Sequence, residues 1–165
     1  MKKIVKALCL VALIIGSLSL TGCGGEGQHG SGVDALYQNI SGEWELVSWS
    51  SEQPNENIAV YISFTKSHTF VLYQKLRYPY FVKYTGSYEI GADKVISGVY
   101  DDRRTWGASY VMELSNDNKR LTLINADNDF DVTVYARSTI PSYVIETGVG
   151  MTIFGERTFA QGPFL

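Results

Sequence analysis

From Ser41 to Arg137 apolar and polar side chains alternate with a period of two, in short runs broken by turn residues. No stretch there carries a 3.6-residue apolar period. The alternation predicts strands at 43–50, 58–64, 68–76, 80–90, 94–100, 108–115, 119–125 and 129–137. In the fourth run Tyr80, Val82, Tyr84, Gly86, Tyr88 and Ile90 share one face, against Lys83, Thr85, Ser87 and Glu89. Trp44 and Leu46, then Val60, Ile62 and Phe64, then Phe70 and Leu72 form the apolar faces of the first three runs. Tyr110, Met112 and Leu114 do so in the sixth, and Leu123 contributes from the seventh. In the eighth, Phe130, Val132, Val134 and Ala136 are expected inside, with Asp131, Thr133, Tyr135 and Arg137 outside. The fifth is ambiguous: Ile96, Gly98 and Tyr100 compete with Val95 and Val99.

The connections are short and built from residues that tolerate turn geometry, such as Asn55-Glu56-Asn57, Thr65-Lys66-Ser67 and Asn116-Asp117-Asn118. Parallel neighbours need crossovers of about a dozen residues or more, so consecutive strands must be antiparallel. Eight such strands either split into a sandwich or close into an all-β, eight-stranded antiparallel up-and-down β-barrel. Closure removes the exposed edges, and a barrel of that size has room for one small ligand. The barrel is therefore the expected fold, over residues 41–137.

The first 22 residues are set apart from this fold. Lys2, Lys3 and Lys6 precede an apolar run from Ala7 to Leu20, too short and interrupted to span a bilayer, which reads as a secretory signal. Leu20-Thr21-Gly22-Cys23 resembles the lipobox of bacterial lipoproteins. That resemblance implies lipidation at Cys23 and a membrane-anchored protein of the cell envelope, at the outer membrane and facing the periplasm or the cell surface. An ordinary cleaved signal with an incidental cysteine is the alternative. Removing the three lysines would leave 11 basic side chains against 17 acidic ones. Such a chain, with its basic residues scattered singly, is a poor partner for nucleic acid. Cys9 leaves with the signal, so no disulfide is expected. Residues 23–40 read as a glycine-rich flexible tether, with one helical turn over Val33–Asn39 that Asp34 would cap.

Gly42-Glu43-Trp44 at the head of eight serial strands resembles the lipocalin superfamily, more closely the lipocalin-like lipoproteins of Bacteroidetes. The resemblance implies that Trp44 closes one barrel end, with Arg137 at the end of the last strand packed across its ring. Gly42, Trp44 and Arg137 are thus structural closure residues. Classical lipocalins follow the barrel with a helix and a ninth strand. Here residues 138–165 hold Pro141, Gly148, Gly150, Gly155, Gly162 and Pro163, so a long helix would be costly. Ser142–Glu146 and Met151–Phe154 would instead add a short strand or cover a barrel mouth. The tail is apolar enough to dock on its own barrel or on a partner.

Candidate chemistry centres on the interior. Phe70, Leu72, Tyr80, Tyr84, Tyr88, Tyr110, Met112, Leu123 and Phe130 would line an aromatic pocket whose hydroxyls orient a small apolar or amphipathic ligand. The competing reading is that these rings simply fill the barrel. Asp127, Asp129 and Asp131 hint at calcium, but Val132 and Ser138 stand where a calcium loop needs glycine and a bidentate acid; the run reads as a polar turn. His68 has no ligand-spaced partner, so no metal site is expected. The pairs Glu43/Glu45 and Glu89/Glu113 lie on the wet face, and no nucleophile elbow or phosphate loop occurs. No catalytic residues and no cofactor are expected, and the chain is not read as an enzyme. Asp101-Asp102-Arg103-Arg104-Thr105-Trp106 is either a lid or partner contact, or a solvated loop with Trp106 folded back. The function expected is carriage of a small hydrophobic or amphipathic ligand in the envelope. The alternative is a filled barrel acting as a protein- or glycan-interaction module or inhibitor, through its 101–107 loop and tail.

Overall fold

The structure, a computed structural model, describes residues 30–91, 93–150 and 163–165. The signal segment, Cys23, His29 and Met151–Phe154 lie outside these residues. The elements run α1 (Gly30–Ile40), β1 (Gly42–Trp49), β2 (Ala59–Phe64), β3 (Thr69–Lys75), β4 (Val82–Ile90), β5 (Val95–Tyr100), β6 (Tyr110–Leu114), β7 (Arg120–Asn125), β8 (Asn128–Arg137), α2 (Ser142–Thr147) and β9 (Val149–Gly150). Neighbouring strands from β1 to β8 pair antiparallel in sequence, and β1 pairs with β8. The eight strands therefore close into an up-and-down barrel.

Turns are made by residues that accept a left-handed backbone. His68, Lys94, Arg103 and Asn118 take positive φ in the β2–β3, β4–β5, β5–β6 and β6–β7 connections. Alternation places Trp44, Leu46, Val60, Ile62, Phe64, Phe70, Leu72, Tyr84, Tyr88, Ile90, Met112, Leu121 and Leu123 in one continuous core. The ambiguous β5 resolves with Ile96, Gly98 and Tyr100 inward.

Two expectations are corrected. The helix is longer than one turn, reaches back into the glycine-rich segment, and contains Asp34 rather than being capped by it. The face of β8 is inverted: Thr133 and Tyr135 are buried, while Phe130 is 88% exposed and Val132, Val134 and Ala136 are half-buried. The cause is Arg137. Its guanidinium lies 4.2 Å from the Trp44 ring, so Tyr135 and Thr133, at steps of two before it, must share its side of the strand. A register shift at Ile124/Asn125 then sets Phe130 on the projecting β7–β8 hairpin.

One end of the barrel is sealed by α1. Tyr37 and Ile40 enter the core, Trp44 Nε1 donates to the Ile40 carbonyl at 2.8 Å, and the Ile90 amide donates to the Tyr37 hydroxyl at 2.9 Å. Arg137 donates to the carbonyls of Asn39 (2.7 Å), Ser41 (2.9 Å) and Asn118 (2.8 Å), tying the end of β8 to α1 and the β6–β7 turn. Gly42 makes this possible: its φ is +126°, and a Cβ there would collide with Nη1 of Arg137. Outside the barrel, Tyr61, Tyr73 and Phe81 form a second apolar cluster covered by Ile140 and by Val144 of α2. After α2, β9 pairs in parallel with Val82–Lys83 of β4. A third correction falls on the tail: Ser142–Glu146, expected as a short strand or a cover for a barrel mouth, is helical in α2 and packs on the outer cluster; among the described residues the tail supplies this helix of six residues and a strand of two.

Truncating Trp44 to alanine should destabilise the fold by about 3–5 kcal/mol, read from denaturant midpoints. Gly42→Ala should cost about 1–3 kcal/mol through its backbone conformation alone. Combining it with Arg137→Met should cost less than the sum of the two single changes, because both disturb the same clasp.

Candidate ligand-binding site

The end opposite α1 is where the barrel departs from regular pairing. β5 and β6 share only the pairs Val95↔Val111 and Ile96↔Tyr110. Beyond them the 101–109 loop folds back onto β5, the Trp106 amide donating to the Gly98 carbonyl at 2.9 Å and the Tyr100 amide to the Arg104 carbonyl at 2.8 Å. Trp106 is thereby carried inside the barrel, lying against the bare face of Gly98, where a Cβ would overlap the indole. Its ring meets Phe70 edge-on at 5.3 Å and Tyr110 at 6.2 Å; Phe70 meets Tyr100 at 5.4 Å, and Tyr84 lies 5.7 Å from Tyr100. These five rings, with Tyr135, form an aromatic chamber. Of the two readings of the 101–106 loop, the structure has Trp106 folded inward, so its indole offers no partner contact.

Of the sequence-predicted lining residues, Phe70, Leu72, Tyr84, Tyr88, Tyr110, Met112 and Leu123 all face inward, none more than 6% exposed. They do not form one site. Tyr88 belongs to the sealed end, its hydroxyl donating to the Thr65 carbonyl at 2.8 Å and its ring beside Phe64 and Tyr37. Met112, at the same end, borders a surface cleft of about 280 Å³ with Leu36 and Asn39 of α1. Tyr80 precedes β4 and stacks on Tyr78 at 5.3 Å, and Phe130 lies outside the barrel altogether. Tyr84, Tyr110 and Phe70 remain in the chamber. A second cleft of about 280 Å³ opens beside it, bordered by Lys83, Tyr84, Thr85, Tyr100, Asp101, Asp102 and Gly150.

Tyr100 and Trp106 take the inward one of the two positions that the sequence allows each of them. Tyr135 lies on the face opposite to the expected one, and Gln74, a polar residue on an inward position and 2% exposed, is not signalled by the alternation. The signals are Gly98, which leaves a gap for a large ring, and Arg137, which by lying across the Trp44 ring requires Tyr135 on the same side of the strand.

The chamber is occupied by the chain itself. Leu165 is 3% exposed within the core, its main-chain oxygen accepting from the Tyr100 hydroxyl at 2.8 Å. The Phe164 amide donates to Gln74 Oε1 at 2.7 Å, and its ring stands edge-on to Trp49 at 5.0 Å. At the rim, Asp131 accepts from Trp49 Nε1 (3.2 Å) and Asn125 Nδ2 (3.1 Å). Among the described residues, Trp106 Nε1 and the Tyr135 hydroxyl are buried without a close hydrogen-bond partner, the Thr133 side chain being the polar neighbour of the latter.

Burial pushes the hydroxyls of Tyr84, Tyr88, Tyr100 and Tyr135 above their ordinary range, and Tyr110 up to about 12, with the Asp131 carboxylate adding to the rise at Tyr110 and Tyr135. On the outer face burial, then the charge and hydrogen bond of Glu45, take Tyr61 to about 12 as well. No three His, Cys, Asp or Glu side chains gather to hold a metal ion among the described residues. The carboxamides of Asn125 and Asn128 are engaged in the β7–β8 turn, accepting from the amides of Asp127 and Phe130.

These tyrosines fix a pH dependence. Each is raised in the folded state above the ordinary value of about 10, so its contribution is complete below pH ~10 and is lost as pH rises through the folded value. Denaturant midpoints should hold up to about pH 10 and fall steeply towards pH 12, with tyrosinate absorbance rising together with the loss of tertiary signal.

Comparison with known proteins places this geometry in context. No curated protein matches the chain. A family model described as a lipocalin-like domain matches residues 40–123, just over half of the chain, from the last residue of α1 into β7. With its closed eight-stranded barrel, the chain belongs to the lipocalin-like domain family.

Proposed function

We propose that this protein is a membrane-anchored lipoprotein of the cell envelope whose barrel binds a small apolar or amphipathic molecule at the end opposite α1. The observation that carries the reading is the aromatic chamber, in which an apolar side chain from a distant part of the sequence is already lodged. A site that buries Leu165 among Tyr100 and its neighbours has the composition of a small-molecule pocket: mostly apolar, with a few polar groups that fix orientation. The anchor rests on the Leu20-Thr21-Gly22-Cys23 sequence, with residues 24–29 as the tether that spaces the barrel from the bilayer. Among the described residues no helix is long and apolar enough to cross a membrane. In this reading lipid on Cys23 makes the attachment.

A second reading draws on the rim. Trp49 is 43% and Phe130 88% exposed, and both sit beside the chamber entrance on β1 and the β7–β8 hairpin. Such a pair would suit contact with another envelope protein or a glycan, without use of the interior.

Cys23→Ser should move the protein from membrane to soluble fractions; continued membrane association would reject the anchor. Native mass spectrometry of that freshly purified variant should show a co-purified small molecule, or uptake of added 1,6-diphenylhexatriene. On this background Tyr84→Ala should weaken diphenylhexatriene binding about ten-fold, and Trp44→Phe by less than about two-fold. Equal effects, or no uptake at all, would favour the rim reading.

A further inference from the structure

We infer that the α1 end of the barrel is a lipid-facing surface, which rests on the anionic headgroups of the membrane that holds Cys23 and turns the barrel mouth away from it. The inference depends on the anchoring reading above and adds to it the side of the protein that meets the lipid.

The point of attachment sets the geometry. Val33, Leu36, Tyr37 and Ile40 all pack against the core at the sealed end, so α1 lies across that end from its first turn to its last. The chain therefore leaves toward Cys23 from the sealed end. Residues 23–29 alone separate the anchor from α1, and a chain of that length reaches at most about 25 Å. The mouth lies a tilted strand away, on the order of 20 Å. Setting the mouth on the bilayer would need those residues drawn out along the barrel wall. Setting the sealed end there needs no such extension.

The two ends also differ in charge. Each turn at the sealed end carries an exposed lysine: Lys66 between β2 and β3, Lys94 between β4 and β5, and Lys119 between β6 and β7, with Arg120 beside the last. None of these four forms a salt bridge among the described residues. The acids of the same turns are bent onto their own backbone. Asp93 accepts from the Val95 amide at 3.3 Å, and Asp117 from the Lys119 amide at 3.1 Å and the Ser115 hydroxyl at 2.6 Å. Asp34 is the exposed acid of α1. At the mouth the sign is reversed. Glu52 and Glu56 lie in the β1–β2 connection and Asp127, Asp129 and Asp131 on the β7–β8 hairpin, against Lys75 and Arg77, while the acids and arginines of 101–104 balance. An anionic lipid surface draws in lysines that come within about 10 Å and repels such a mouth. The exposed Phe130, flanked by Asp129 and Asp131, is thus turned to solution.

The sealed end offers a seat as well. Lys94 borders the cleft of about 280 Å³ beside α1, with Leu36 and Met112 as apolar neighbours and Asn39, Asn116 and Asn118 as polar ones. An ammonium and amide-bearing side chains next to apolar ones suit a phosphodiester and the glycerol attached to it.

The test uses the acylated protein in vesicles of phosphatidylethanolamine and phosphatidylglycerol carrying a rhodamine-headgroup lipid. With Cys9 removed and Cys23 acylated, a coumarin maleimide reports on one introduced cysteine, at Ser67→Cys in the β2–β3 turn or Gln53→Cys in the β1–β2 connection. Energy transfer to the lipid should be at least about two-fold greater from position 67. Lys66→Glu with Lys94→Asn and Lys119→Glu should narrow that difference, as should added salt, yet leave it unchanged in phosphatidylcholine vesicles. Asparagine is chosen at position 94 because it tolerates the positive φ there. Equal or greater transfer from position 53, or a difference that neither the substitutions nor salt alters, would overturn the inference while the anchor stood. A mass without acyl chains on Cys23, or protein that stays off the vesicles, would remove the anchoring reading and the inference with it.

Discussion

The clasp between Arg137 and Trp44 is the constraint on which the rest of the barrel depends. A cation over an indole contributes only about 0.5–2 kcal/mol, but this one joins the first strand to the last. The guanidinium spends its remaining donors on Asn39, Ser41 and Asn118, so one side chain binds the seam of the barrel, the helix that plugs it and a neighbouring turn. Gly42 gives up a side chain to admit it. Once Arg137 is placed, the facing of β8 follows, and with it the burial of Tyr135 and the exposure of Phe130.

The same clasp divides the interior. Near α1 the core is sealed and its polar groups are matched: Trp44 to Ile40, Tyr88 to Thr65, and Ile90 to Tyr37. At the other end, matching is incomplete and an aromatic side chain borrowed from a loop completes the wall. Burial, sealing and satisfied hydrogen bonding mark the first region as scaffold. Aromatic walls and the lodged Phe164–Leu165 segment distinguish the second.

Much of the architecture was legible because period-two alternation and short turns leave an all-antiparallel chain few options. Strand positions followed directly, as did the inward faces of β1 to β4, β6 and β7. The candidate site was less legible, for physical reasons that differ by residue. Phe130 looked like a core residue because hydrophobicity alone does not report on a bulged hairpin. Tyr135 looked wet because a hydroxyl and two polar neighbours in parity outweighed the demand that Arg137 placed on the strand. Trp106 belongs to no strand, and only the small residue opposite it, Gly98, signals a vacancy large enough for an indole. Gln74 and Leu165 meet the chamber through chain segments about 90 residues apart, a separation over which local patterning carries no information.

The narrow ladder between β5 and β6 has a mechanical meaning. With two paired residues there against five or six along most of the other strand pairs, the wall resembles a cask with one loose stave. Dilation at that seam would sacrifice few backbone hydrogen bonds, and Trp106 rests on Gly98 with no branch to interlock. The container thus has its fewest strand-to-strand hydrogen bonds on one side, next to the chamber, while the clasp at its far end holds the remaining staves in register.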